Sequence, residues 1–156
     1  MTADIREALR PDPSHPVTII TVGNSLRGDD GVGPYIASRL PPLGEGFFVL
    51  DAGQQPERIF YEAAGRPAPR AVILDAADFG GHAGEMRLFS IEEIPATTLS
   101  THTFPLPVLA SLLQKDCGSA VIFLGIQAVT FTMGEGLTVE VQRAADALVA
   151  FLTSPS

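Results

Sequence analysis

The sequence predicts an α/β fold, a three-layer sandwich in which a mainly parallel, five-stranded twisted sheet carries helices on both faces. Apolar runs rich in β-branched and aromatic residues alternate along the chain with segments of helical periodicity, and this alternation is typical of parallel sheets. The 156-residue chain is 46% hydrophobic, which is enough to bury one core. We therefore expect a single domain.

Five segments account for the strands of that sheet. Four are continuous apolar runs that end in Gly, Asp or Gln, as buried parallel strands do: Val17–Val22, Phe47–Asp51, Ala71–Asp75 and Ala120–Ile126. The fifth, Gly84–Ser90, is short and alternates in polarity. We expect it to form an antiparallel edge strand.

Four segments between the strands have the spacing of helices, in which apolar residues recur every three or four positions. They are Asp30–Leu40, Glu57–Ala64, Leu106–Gln114 and Thr138–Leu152. The last presents Val141, Ala145, Leu148 and Leu152 on one face.

The first sixteen residues differ in composition from the rest. They contain three prolines and several charged side chains, and they lack the apolar core of a secretory signal. We expect a mobile N-terminal extension over residues 1–16, a single domain over residues 17–156, and a cytoplasmic location.

Charge and cysteine content narrow the function classes. The chain has 10 Lys and Arg against 18 Asp and Glu, a net charge of −8, which argues against nucleic acid or an anionic membrane surface as a partner. No apolar run approaches the roughly 20 residues that span a bilayer. The single cysteine, Cys117, excludes an intramolecular disulfide.

The glycine-rich run Gly23–Gly33 follows the first strand directly and contains two adjacent carboxylates, Asp29 and Asp30. A phosphate-binding loop in this position would carry Lys and a hydroxyl residue after its second glycine. Two negative charges repel a phosphate and attract a cation. The run therefore predicts a cation-related site at the carboxyl end of the strand, where α/β folds usually keep their chemistry.

Polar residues also follow the other strands. The second strand ends at Asp51 and Gly53, the third at Asp75 and Asp78, and the run Ser100–Thr103 precedes a helix that begins near Pro105. Because carboxyl ends of parallel strands share one edge of a sheet, we expect Asp30, Asp75 and His102 to converge. Two carboxylates and an imidazole form a plausible metal site with nitrogen and oxygen ligands.

Each of these residues also has a structural interpretation. A carboxylate such as Asp51 or Asp75 often caps a helix or binds loop amides. Asp29 and Asp30 could complement a helix dipole, and His102 alone could be a helix cap or a packing residue. Asp29 and Asp30 are a poor proton-sharing pair, because adjacent helical residues point about 100° apart.

Together these motifs resemble the [NiFe]-hydrogenase maturation endopeptidases, in particular the branch that processes the large subunit of hydrogenase 3. The resemblance rests on Gly23–Gly33, on the strand that ends in Asp75 and continues to Asp78, and on Ser100-Thr101-His102. It extends over about residues 17–152.

The resemblance implies a peptidase fold, a twisted sheet with flanking helices, and an endopeptidase activity of the aspartyl type. Such enzymes remove a C-terminal extension from the hydrogenase large-subunit precursor after nickel insertion. Carried onto this chain, the catalytic and nickel-contacting residues are Asp30, Asp75 and His102, with nickel delivered in the substrate. Nearby crevice residues are expected to contact the substrate: Asp29, Asp51, Gly53 and Asp78.

Three alternatives remain open at this stage. Nickel could be a recognition element or a Lewis acid on the scissile carbonyl. Asp30 or Asp75 could instead activate water directly as a base. The chain could also be a non-catalytic binding module, either a nickel-dependent chaperone or a nucleotide-binding domain with Asp51 on a ribose hydroxyl, although it has no G-x-G-x-x-G motif.

Overall fold

A computed structural model of the chain describes residues 1–55, 69–94, 106–117, 120–134 and 136–154. Within these ranges one sheet of six strands forms the centre of the molecule. Its strands are β1 (Val17–Val22), β2 (Leu43–Gly44), β3 (Phe47–Gly53), β4 (Arg70–Ala77), β5 (Met86–Phe89) and β6 (Ala120–Gln127), and their order across the sheet is β2-β3-β1-β4-β6-β5.

The four central strands are parallel, and both edge strands are antiparallel to their neighbours. The predicted parallel core and the predicted antiparallel strand β5 are thus confirmed. The sheet has one strand more than the five expected, because β2 has only two residues and is too short to show a period.

Helices cover both faces of the sheet, as predicted. The described helices are α1 (Ala3–Leu9), α2 (Val32–Ser38), α3 (Leu106–Cys117) and α4 (Val139–Thr153), with short 3-10 turns at Gly28–Gly31 and Ile91–Glu93. One core cluster joins α1, α2 and α4 to the sheet, and a second joins α3 to the opposite face. The helix predicted over Glu57–Ala64 lies outside the described residues.

Helix α4 shows why these helices form where they do. The four residues predicted on its apolar face are all buried against the sheet: Val141, Ala145, Leu148 and Leu152. Burial of one apolar stripe is the main source of stability for such a helix. Among the described helices, none is both long and apolar enough to cross a membrane.

The N-terminal head packs against the rest of the domain. Ile5 and Leu9 of α1 are 1% and 0% exposed and belong to the core, and the expected mobility of residues 1–16 stays a prediction. The Arg70 guanidinium, at the start of β4, also donates hydrogen bonds to the backbone carbonyls of Glu7, Ala8, Arg10 and His15. Two apolar residues one turn apart and a distant arginine therefore dock the head on the domain.

Candidate active site

The sheet reverses its strand order between β1 and β4. The chain passes from β1 to β3 on one side, and then to β4 and β6 on the other. Ligands of open α/β sheets bind beyond the carboxyl ends of the strands at such a reversal. Asp75 lies near the carboxyl end of β4, and Asp30 lies in the turn Gly28–Gly31, which contacts β4.

Asp30 is buried, with 1% of its surface exposed. Its Oδ2 accepts a hydrogen bond of 3.0 Å from the Asn24 amide, and its own carbonyl accepts the same N–H at 3.1 Å. Gly23 permits this return of the loop to the strand end: its φ is +147°, and a Cβ there would lie 2.1 Å from the Asp30 carbonyl oxygen. The glycine is thus required for close approach.

Asp75 lies within β4, opposite Gly125 of β6, and is fully buried. Alternate residues of a strand share a face, and its neighbours Ile73 and Ala77 pack in the cluster that contains α3. Asp75 is therefore on the α3 side of the sheet. A carboxylate buried near the carboxyl end of a parallel strand, beside the reversal of strand order, lies where α/β folds bind ligands, and this position is therefore a candidate for function.

The third predicted residue, His102, lies outside the described residues together with Ser100 and Thr101. In the ranges that the structure covers, no three His, Cys, Asp or Glu side chains are grouped so that they could hold a metal ion. The structure thus brings Asp30 and Asp75 to the same edge of the sheet. The nickel site as a whole stays a prediction.

Asp51 and Gly53 connect the ends of β1 and β3. Asp51 Oδ1 accepts hydrogen bonds from the Thr21 hydroxyl at 3.0 Å and from the Gly53 amide at 3.1 Å. The Gly53 carbonyl in turn accepts the Gly23 amide at 2.8 Å. These bonds match the structural interpretation of Asp51 as a residue that binds loop amides, and its predicted contact with substrate stays a prediction.

Gln127, at the end of β6, was not among the predicted site residues. It is 6% exposed, and its Oε1 accepts the amides of Phe79 and Gly81 at 2.9 and 3.0 Å. Its Nε2 donates to Asp78 Oδ1 at 3.1 Å and to the Ala128 carbonyl at 3.0 Å. A single buried amide thereby fixes the loop that carries Asp78. Its position after an apolar strand was the available signal.

Asp29 is fully buried and points away from the end of β1. Its Oδ2 accepts the amides of Val129 and Thr130 at 2.8 and 3.2 Å. Its Oδ1 accepts the Thr138 amide at 2.8 Å, and the Thr138 hydroxyl lies 3.0 and 2.9 Å from the two oxygens. Asp29 therefore connects the Asp30 turn to residues that follow β6.

A charged cluster lies at the rim, beyond the end of β4. Glu85 accepts hydrogen bonds from Arg87, and its Oε1 lies 2.9 Å from His82 Nδ1. The hydrogen bond from Arg87 is the main cause that lowers the pKa of Glu85 below its usual value. The Arg87 guanidinium also lies over the Phe79 ring, 4.7 Å from its centroid.

Comparisons with known proteins agree with this geometry. The sequence model of the hydrogenase maturation protease family HycI matches residues 39–154. The hydrogenase 3 maturation protease of Escherichia coli strain K12 is 38% identical over 111 residues, 70% of each chain. A putative hydrogenase maturation protease of Methanocaldococcus jannaschii is 31% identical over 121 residues, 71% of each chain.

Solved structures extend the likeness to the fold. The solution structure of the endopeptidase HycI from Escherichia coli superposes with a TM-score of 0.75 at 33% identity, over 86% of each chain. The crystal structure of HycI from Thermococcus kodakarensis has a TM-score of 0.81 and covers 97% of this chain and 100% of its own, and at 24% identity it supports the fold alone. On the sequence matches and the shared fold, this chain belongs to the hydrogenase maturation protease family.

Proposed function

We propose that this maturation protease removes the C-terminal extension of a [NiFe]-hydrogenase large-subunit precursor after nickel insertion, in the cytoplasm. The observation that carries the proposal is the placement of two buried carboxylates, Asp30 and Asp75, at the carboxyl ends of adjacent parallel strands where the strand order reverses. The family supplies the reaction class, and this edge of the sheet supplies the site.

The chemistry of these side chains suits the recognition of a metal that arrives with the substrate. Asp30 and Asp75 would offer carboxylate oxygens to nickel that the precursor already holds through cysteine thiolates. Oxygen contacts of this kind are weaker than thiolate contacts for a borderline metal. The protease would thus distinguish the nickel-loaded precursor from the nickel-free precursor and still release its product.

The topology also supports a place for His102 at this edge. Helix α3 leads into β6 across residues 118–119, so its Cys117 end lies toward the start of β6 and its Leu106 end toward the carboxyl edge. Asp75 lies on the face of the sheet that α3 covers. His102 precedes α3 by a few residues in the sequence, which supports our proposal that it joins Asp30 and Asp75.

Two chemistries for the cleavage step fit these residues. In the first, Asp30, Asp75 and His102 contact the substrate's nickel, which positions or polarises the scissile carbonyl. In the second, Asp30 or Asp75 takes a proton from the attacking water, and nickel only positions the peptide. We favour the first, because it gives a role to all three predicted residues, the two carboxylates and the imidazole. Neither the family match nor the strand-end geometry favours the nucleotide-binding or chaperone alternative.

The proposal is tested by mass spectrometry of a large-subunit precursor from the same cell, incubated with this protein. We expect loss of a C-terminal peptide from the nickel-loaded precursor only, and none with His102→Ala. His15→Ala is the matched control, because His15 lies in the N-terminal head with a side chain 71% exposed. Cleavage of the nickel-free precursor at an equal rate would contradict nickel recognition, and no cleavage of any form would contradict the endopeptidase assignment.

A further inference from the structure

Asp29, the neighbour of Asp30, is a buried charge that the proposed reaction does not use. A carboxylate has about four positions that accept hydrogen bonds. Amides of Val129, Thr130 and Thr138 and the hydroxyl of Thr138 all donate to this one. We propose that Asp29 is a positioning residue, which holds the turn Gly28–Gly31 against the residues after β6 and so fixes the Asp30 carboxylate for reaction.

The backbone of the same loop is attached to the same residues. The Asp29 amide donates to the Thr130 carbonyl at 2.9 Å, and the Gly134 amide donates to the Leu26 carbonyl at 2.8 Å. Gly28 approaches so closely that a Cβ would lie 2.8 Å from the Thr130 carbonyl oxygen. Side chain and backbone therefore restrain the loop from one side.

Asp30 belongs to the turn that these contacts restrain, but its carboxylate lies on the opposite side of the turn from that of Asp29. Successive residues of a helical turn point in different directions, and the Asp30 carboxylate binds the Asn24 amide at the end of β1 while that of Asp29 binds the residues after β6. A shift of the turn would move Asp30 relative to Asp75. A misplacement of about 1 Å can reduce the rate of an enzyme about a hundredfold.

Thr138 donates to Asp29 through its hydroxyl as well as its amide, and it precedes α4 as the N-cap residue. A threonine in that position usually binds the amides of its own helix. Here the hydroxyl makes no such cap and binds Asp29 instead. Helix α4 therefore has no side-chain cap from Thr138, whereas the loop next to Asp30 is held by a charge-assisted hydrogen bond, which is stronger than a neutral one.

The inference rests on the proposed function, and the test compares kcat and KM for the nickel-loaded precursor. We expect Asp29→Asn to lower kcat about a hundredfold with little change in KM, because the amide nitrogen of asparagine would face N–H donors. Thr138→Val should lower kcat about tenfold, the scale of one charged hydrogen bond. Thr138→Ser keeps the hydroxyl and should restore most of the rate.

Thr153→Val is the matched control, because the Thr153 hydroxyl binds the Val149 carbonyl at the exposed end of the same helix. This variant should cleave the precursor at the wild-type rate. Amide hydrogen exchange gives a readout independent of activity: the Val129, Thr130 and Thr138 amides should exchange faster in Asp29→Asn and Thr138→Val. If the wild type cleaves and folded Thr138→Val keeps its full kcat, the inference is overturned. If the wild type does not cleave, the proposed function fails and the inference with it.

Discussion

The two ends of the sheet pair side-chain charge with the backbone in opposite ways. At the amino edge, one guanidinium, that of Arg70, donates to four backbone carbonyls of the N-terminal head. At the carboxyl edge, the carboxylates of Asp29 and Asp30 accept backbone amides. Each edge thus pairs side-chain charges with main-chain dipoles, those of carbonyls at the amino edge and those of amides at the carboxyl edge.

The two edges differ in the role that their charged side chains have besides binding the backbone. Arg70 is engaged by a single segment of the chain, residues 7–15, and its contacts account for one docked helix. The carboxyl edge gathers carboxylates from several loops at the reversal of strand order, where ligands bind. This comparison predicts that substitutions at the amino edge leave activity unchanged, whereas the carboxyl edge contains residues whose substitution changes activity.

The largest expected effect on activity is that of a substitution at Asp75. Asp75→Asn keeps the shape of the side chain and removes its charge, so we expect precursor cleavage to fall about a thousandfold, within the range of a lost acid–base group. We also expect weaker binding of the nickel-loaded precursor, measured by calorimetry. Retained binding with lost cleavage would instead favour Asp75 as the base. Asp146→Asn, at an exposed position on α4, is the control and should cleave normally.

A substitution of Gln127 tests whether side chains at the carboxyl edge also stabilise the fold. Gln127→Ala leaves the partly buried amides of Phe79 and Gly81 without their acceptor, and we expect the free energy of unfolding to fall by about 2–4 kcal/mol. Urea denaturation measures it. Gln142→Ala, an exposed glutamine on α4, should change stability by less than about 0.5 kcal/mol. Equal effects would show that the buried network adds no stability.

The smallest effect is expected at the amino edge. Arg70→Met should lower the free energy of unfolding by about 1–2 kcal/mol, because the released carbonyls lie near the surface and can bind water. Trypsin should then cut after Arg6 sooner than in the wild type, while precursor cleavage keeps its rate. Arg143→Met on exposed α4 controls for the loss of charge. A large loss of activity in Arg70→Met would break the distinction between the edges.

Much of the fold could be predicted because its elements are long and periodic. The apolar runs of β1, β3, β4 and β6 and the buried face of α4 are visible over five or more residues each. The docking of the head could not be predicted, since the seven residues of α1 offer only the pair Ile5 and Leu9. Its docking also depends on Arg70, whose place beside the head is invisible in the local sequence.

The candidate site also contains some residues that could be predicted from the sequence and others that could not. Asp30 and Asp75 could be selected because each stands at the end of a recognisable strand, and the parallel topology brings such ends together. The partners of Asp29 and Gln127 could not be predicted. Asp29 binds residues 100 to 109 positions away, and Gln127 reaches the Phe79 amide across 48 positions. Only the folded chain relates them.

The docked head has a consequence for folding kinetics. Arg70 lies 55 to 63 positions along the chain from the carbonyls that it binds, so these contacts close large loops and gain nothing until β4 has joined the sheet. Contacts that form after the transition state slow unfolding and leave the folding rate almost unchanged. We therefore expect the head to lengthen the lifetime of the native protein more than it speeds folding.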